Sequence, residues 1–415
     1  MGKSLFSRFL RNEDGNFAGI FAVAMVPMMA VVAGSVDFSD VVRNRTALQD
    51  SLDSALVRIA LDSISNPDEA SLEAKGQEFF NNNVEGKIGV NAVLDYLGVV
   101  TEADSSKRFN AKVTKQYKGS LTALLNGPIT VDSSVVRQSG PNACMLALSP
   151  TAASAIDFNG TTNVTLDKCT IAANSKSVSS ITRSGSASLS AECVQTQGLT
   201  SGIVSDPKTT LACAKAREKS FKTADPLASF VPPIAGSCSN LTVPGGNGNN
   251  WKNIYPGTYC NNNFTINGGT KVRFNSGTYI FKGTDLKFLG GAEVIGTDVT
   301  IYLYNGSNIS IAANAIVSLS APVTGVNAGI LFYSTASNPV EFSFAGGAGQ
   351  KLQGFIYNPA GTIDFQGNSG TTGDQCVRLI GNTIKLSGTA KMKVNCGTEL
   401  GGRDIVTTRL IRFVE

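Results

Sequence analysis

The chain reads as an α+β segment followed by an all-β domain: an N-terminal transmembrane helix, a small α/β unit and a C-terminal parallel β-helix-like solenoid. Three observations carry this. Residues 17–36, FAGIFAVAMVPMMAVVAGSV, hold no charge over a length that suits a hydrocarbon core about 30 Å thick. Residues 37–65 then repeat apolar positions at three- and four-residue steps, the period of an amphipathic helix. From Cys144 onward short strand-like runs follow one another, separated by Gly and Asn turns and no helical pattern.

The first element is the membrane segment. A leader, 1–16, carries Lys3, Arg8 and Arg11, and the span 17–36 follows. Phe17, Ile20, Phe21, Met25 and Val32 supply its apolar surface, and Pro27 is tolerated in membrane helices as a kink. A cleaved signal peptide is the alternative, with Val31 and Ala33 as the small residues before a cut. Helical patterning continues straight through that point, so the reading is a retained anchor. Basic residues do not settle orientation, because Arg43 and Arg45 follow the span closely. The cysteines point outward: all eight lie between Cys144 and Cys396, an even number suited to an oxidising compartment.

Composition excludes several functions. The chain has 415 residues and no histidine, which removes Ser-His-Asp and Cys-His catalysis and the commonest zinc ligand. A net charge of +4, dispersed along the chain, gives no footprint for nucleic acid. No catalytic, cofactor or metal residue is assigned, and the chain is read as a non-enzyme without cofactors.

In the α/β unit, Val41, Leu48, Leu52, Ala55 and Ile59 form the apolar stripe of a helix leaving the membrane. Its stripe packs either on its own unit or against partner helices. Pro67 ends it, and a second helix is expected over about 69–80. Residues 111–115 and 129–136 alternate as strands do.

Asp14-Gly15-Asn16, the apolar run, and Arg43-x-Arg45-x-x-Leu48-Gln49-x-x-Leu52-Asp53-x-Ala55 together resemble the TadE/TadG-like family of the tight-adherence (Flp) pilus system. The resemblance covers about the first 65 residues. It implies a single-pass protein of the bacterial inner membrane with the bulk of the chain in the periplasm. It also implies a pilin-like unit over 37–140, a structural or assembly role in pilus biogenesis, and other pilus-assembly or envelope proteins as partners. Prepilin-like members carry Glu five residues after the processing glycine; here that position is Ile20, which points to an uncleaved, TadG-type member. Some relatives insert a D-x-S-x-S metal motif, which this sequence lacks.

The solenoid is expected over 141–415. Runs such as 163–166, 186–189, 278–281, 299–303 and 308–311 are short strands, and Gly268-Gly269, Gly290-Gly291 and Asn305-Gly306 are turns. Cys144, Cys169, Cys193, Cys213, Cys238 and Cys260 follow one another at about 20–25 residues, as do Cys376 and Cys396, about one solenoid coil. Adjacent strands lie about 4.8 Å apart and disulfides need Cα atoms about 4.4–6.8 Å apart, so sequential pairing across coils is the expected connectivity. Near 214–235, Lys215, Arg217, Lys219 and Lys222 precede Asp225-Pro226 and Pro232-Pro233. This reads as a short basic helix plus a linker over the solenoid's side, either solvated or a patch for anionic polymer. Residues 405–414 are a closing strand.

Weaker signals resolve into structure. Residues 346–351 lack the Gly-Lys-Ser/Thr of a phosphate loop and read as a turn into a strand. Asp285, Asp298 and Asp364 would serve a β-helix polysaccharide lyase or hydrolase only if two converged. Phe281, Phe288, Tyr302, Tyr304, Phe332 and Tyr357 either fill the core or form an outward ladder for carbohydrate. Beside the pilus-assembly reading, a surface adhesin or glycan-binding module, with polysaccharide as partner, is therefore the second hypothesis, and the β-helix enzyme the third.

Overall fold

A computed structural model describes residues 16–414 except 65–67, 89–91, 104–105, 122–125, 167, 205, 240–249, 261–263, 336, 346–349, 368–375, 389–390, 395–399 and 401–402. Two compact units result: Met1–Gln138 with Ile411–Glu415, and Ser139–Leu410. The last residues of the chain thus belong to the first unit, where the sequence assigned all of 141–415 to the solenoid.

In the first unit, helix α1, Asn16–Asp62, runs for 47 residues with Pro27 inside it. Its apolar half has a mean hydropathy of 2.1 and no share of it is buried by protein. Helix α2, Glu69–Ile88, is capped by Asp68, whose Oδ2 accepts the Ser71 amide at 3.0 Å. The strands β1 (Ala92–Thr101), β2 (Lys107–Tyr117) and β3 (Gly127–Ala147) form an antiparallel meander. Leu48, Leu52, Ala55 and Ile59 of α1 pack with Phe80 and Val84 of α2 and with Phe109, Val113 and Val135 of the sheet. The second helix continues past the expected stop at residue 80. Its asparagines Asn81, Asn82 and Asn83 are poor helix formers, but Phe80 and Val84 lie one turn apart in the core, and their burial outweighs propensity.

The second unit departs from sequence order. One face of the solenoid stacks parallel strands as Cys238–Ser239, Gly257–Cys260, Gly277–Lys282, Val299–Tyr304, Ile330–Ser334, the middle of Gln350–Gln366, and the start of Val377–Leu386. The next strand in space is the end of β3, with Leu379 opposite Met145 and Ile380 opposite Leu146. Thr170–Ala173 and Cys193–Thr196 complete the face. The same seam recurs on the other two faces, where Ile384 meets Ile156 and Lys391 meets Asn163. The chain therefore enters the solenoid mid-stack, builds outward to one end, crosses to the far end, and builds back to close on its own start.

The crossing segment, 218–237, is a strap along the outside of the first face. Asn174 Nδ2 donates to the Thr223 carbonyl at 3.0 Å and its Oδ1 accepts the Thr223 amide at 2.8 Å. Farther along, Tyr357 Oη donates to Asp225 at 2.9 Å, and the Phe230 and Tyr333 rings meet at 5.4 Å. Tyr304 Oη donates to the Pro233 carbonyl at 2.8 Å, and Thr258 Oγ1 accepts the Gly236 amide at 3.0 Å. The expected basic helix is absent here. Ala214 and Lys219 take positive φ, 67° and 50°, Pro226, Pro232 and Pro233 supply no amide donors, and side chains of the sheet satisfy the extended backbone instead.

Inside the coils, Phe274, Phe281, Phe288, Phe332 and Phe344 are fully enclosed in a continuous apolar core. At one corner Gly269, Gly291 and Asn314 stack on successive coils with φ of +75°, +81° and +64°. Only Gly, or Asn with its locally bonding side chain, takes this conformation cheaply.

Candidate functional site

The residues with a functional claim are those where α1 leaves its apolar half. Ile20, Phe21, Met25 and Val32 of the expected anchor are exposed along the helix, as a lipid-facing surface requires. Phe17 lies in the helix, and its side chain is outside the described residues. The apolar exposure continues beyond the uncharged run through Phe38, 61% exposed, and Val42, 48% exposed. These are neighbours on one helical face.

On the opposite side sits Asp37, fully buried. Its Oδ1 accepts the amides of Ser120 and Leu121 at 2.9 and 3.1 Å, and its carbonyl accepts Tyr117 Oη at 3.2 Å. The first charged residue after the apolar run thus pins the loop between β2 and β3. Lys115 Nζ donates to Asn44 Oδ1 at 2.9 Å and adds a second tie from the sheet to α1. Sequence reasoning passed over Asp37; its signal was an acid placed directly after twenty uncharged residues. Leu48, Leu52, Ala55 and Ile59 are all buried within this unit, so the amphipathic stripe is used internally, while Phe38 and Val42 stay exposed.

The cysteines lie between neighbouring coils. Cys144 is bonded to Cys169, Cys193 to Cys213 and Cys238 to Cys260, over sequence separations of 25, 20 and 22 residues. Cys376 is also disulfide-bonded; its expected partner Cys396 lies outside the described residues. Beside the first bridge Arg378 is buried, with Nη1 against Cys144 Sγ and 2.6 Å from Cys169 Sγ. Burial lowers its pKa, and Asp404 at 3.7 Å acts in the opposite direction.

Asp285 and Asp364 do not converge. Asp285 pairs with Lys287 at 3.0 Å, and Asp298 sits in a turn with φ 55°. Asp364 accepts from Gln366 at 2.5 Å. Asp285 leads into Leu286–Phe288 and Asp364 lies in Gln350–Gln366, three strand steps away on the same face, about 14 Å at the usual strand spacing. That exceeds the carboxylate separations used for glycoside hydrolysis.

The aromatics divide by strand alternation. Phe281, Phe288 and Phe332 point inward, whereas Tyr302, Tyr304, Tyr333 and Tyr357 form an outward ladder. Tyr333 and Tyr357 stack at 4.8 Å. This ladder is occupied by the chain's own strap. Burial pushes the Tyr333 hydroxyl up to about 12, with the charge of Asp225 adding to it. Burial also raises the Asp225 carboxyl, against the Leu227 amide, the Tyr357 hydroxyl and Lys222, which act the other way. Of the basic residues near 214–235, Lys215, Lys219 and Lys222 are exposed.

These features define a class: a chain with an exposed apolar helix long enough to cross a membrane, a helix-and-meander unit, and a disulfide-bridged β-solenoid. Residues 15–57, a range that from Asn16 onward forms the apolar helix and its packed continuation, match the family model described as putative Flp pilus-assembly TadE/G-like. That segment is TadE/TadG-like, and together with the exposed apolar helix it supports a membrane-associated protein related to Flp pilus assembly. No curated protein and no solved structure matches the chain.

Proposed function

We propose that the protein is a non-catalytic, single-pass component of tight-adherence pilus biogenesis, anchored in the bacterial inner membrane with both units in the periplasm. The observation that carries this is the double role of the family-matched segment. Residues 15–57 are at once the exposed apolar helix and the central core helix of the first unit. The anchor and the folded unit are then one rigid element, as a fixed assembly post requires. Phe38 and Val42 would contact a pilus-assembly or envelope partner just outside the bilayer, and the disulfides support a periplasmic solenoid. Ile20, at the position where prepilin-like relatives carry Glu, supports an uncleaved chain.

The test is an in-frame deletion scored by surface-assembled pilin, complemented by the full chain and by a Phe38→Asp, Val42→Asp variant. The expected outcome is loss of surface pilin, rescue by the full chain and failure of the variant at normal protein level. Unchanged pilus assembly in the deletion strain refutes the role. Trypsin added to spheroplasts tests orientation: protection of the solenoid until lysis would refute the periplasmic placement.

A further inference from the structure

The solenoid's third face differs from the other two. The first is covered by the strap. The second turns one position per strand outward in a charge-balanced row, with Lys287 and Lys385 against Asp157 and the buried Asp364. Before the seam, the third is built from Lys252–Ile254, Lys271–Phe274, Glu293–Gly296, Ile316–Ser320 and the start of Gln350–Gln366, in parallel register. Its outward central column reads Asn253, Arg273, Ile295, Ser318 and Lys351.

Three observations set a ligand chemistry. First, Arg273 and Lys351 are exposed, and among the described residues neither has a carboxylate within salt-bridge distance, whereas Lys271 is paired with Glu293 at 3.2 Å. Second, a groove of about 210 Å³ lies beside Arg273, lined by Asn275, Ser276, Ile295, Thr297 and Ser318. It joins one cation to short hydroxyl and amide groups over an aliphatic floor. Third, Trp251 lies 5.7 Å from the Arg273 guanidinium and 5.9 Å from Lys271 Nζ. This cation–π contact sets an aromatic ring beside the two cations. Tyr255, 64% exposed, stands at the end of the same strand.

We infer that this third face binds an acidic polysaccharide along the stack of strands. Arg273 takes a sugar carboxylate in its fork of donors, and the hydroxyl and amide side chains take ring hydroxyls. Ile295 meets an apolar ring face. Lys351, three strand steps away and so about 14 Å along, takes a second carboxylate on the same polymer. Two fixed cations on a repeating sheet suit a regular linear chain of charged sugars. The inference goes beyond the assembly role and stands independently of it.

Trp251 is the chain's single tryptophan, so its emission reports directly on this face. The full chain in a neutral detergent is titrated with polygalacturonate, with dextran as uncharged control. Single-stranded DNA of equal charge is the rival anion. The expected result is a saturable emission change with polygalacturonate, weakened by salt and absent with dextran. Arg273→Gln and Lys351→Gln should each weaken binding about tenfold, the weight of one charge-assisted hydrogen bond, while Lys287→Gln on the second face leaves it unchanged. Affinity electrophoresis in polygalacturonate gels repeats the comparison without fluorescence. No response to polygalacturonate, an equal response to dextran, tighter binding of DNA, or unchanged affinity in both face variants overturns the inference.

Discussion

Shortening Leu227 to alanine tests whether the strap is held by packing against the solenoid. Leu227 is 1% exposed and belongs to the apolar cluster containing Tyr302, Tyr333, Phe355 and Tyr357. Buried Leu→Ala changes cost about 2–5 kcal/mol, least where the surroundings collapse into the space. A strap open to solvent on its outer side can settle inward, so the low end applies, about 2–3 kcal/mol. If that loss falls on local opening of the strap, the open population rises roughly 30- to 150-fold. Lys222, exposed five residues away, is the reporter. Trypsin cleavage after it tracks the open population when closing is faster than cutting. Peptide mapping by mass spectrometry should show faster cleavage at Lys222 in Leu227→Ala, with the rate at Lys282, in the strand Gly277–Lys282, little changed. Unchanged cleavage at Lys222, or equal acceleration at both lysines, refutes the reasoning, because the strap would then be held elsewhere or would open only with the whole domain.

Asp225 makes the same strap pH-dependent. Its folded pKa lies above the unfolded value because of burial, so its contribution is fully present below the unfolded pKa and is lost as pH rises through the folded pKa. Hydrogen exchange of strap amides, corrected for intrinsic rates, should show greater protection on the acid side, and Asp225→Asn should flatten the profile. Replacing Cys238 and Cys260 together with serine opens a 22-residue link and should lower unfolding free energy by about 3 kcal/mol, read from guanidinium unfolding. Gly361→Ala places a methyl against the Val340 carbonyl and should cost about 1–3 kcal/mol, seen as a lower thermal midpoint. Asp37→Ala strands the amides of Ser120 and Leu121 and should cost about 1–3 kcal/mol, with faster exchange confined to that loop.

Legibility in the sequence followed the range of the interaction. Helix α1 was readable because an uncharged run of bilayer length and a three- and four-residue apolar period are both local patterns. Strands such as Val299–Tyr304 were readable because inward and outward residues alternate with their turns. The order of the coils was not. Nothing in residues 141–147 says that their neighbour is 377–386 rather than a preceding coil, since parallel strands of similar composition are interchangeable to a local pattern. The strap was misread as part-helical because its basic residues sit at helical spacing, while its conformation is set by Asn174, Tyr304 and Tyr357 from distant coils. For the same reason the sequence left core packing and an outward ligand ladder as the two choices for the tyrosines, when the chain itself covers an outward ladder. Asp37 was hidden by its neighbours: beside an uncharged span an acid looks like a boundary marker, and its partners are eighty residues away.

The seam between Val377–Leu386 and β3 has a consequence for how the molecule is made. The edge presented by residues 143–147 emerges early, and its final neighbour follows roughly 230 residues later. At about 5–20 residues per second that edge waits for something like 10–45 seconds with its backbone unpaired. Such an edge is a template for any other extended chain, and contacts so distant in sequence form slowly. Biogenesis of this domain therefore has a defined vulnerable interval. It ends only when the final coils arrive, so a chain stopped before residue 377 would keep the open edge for good.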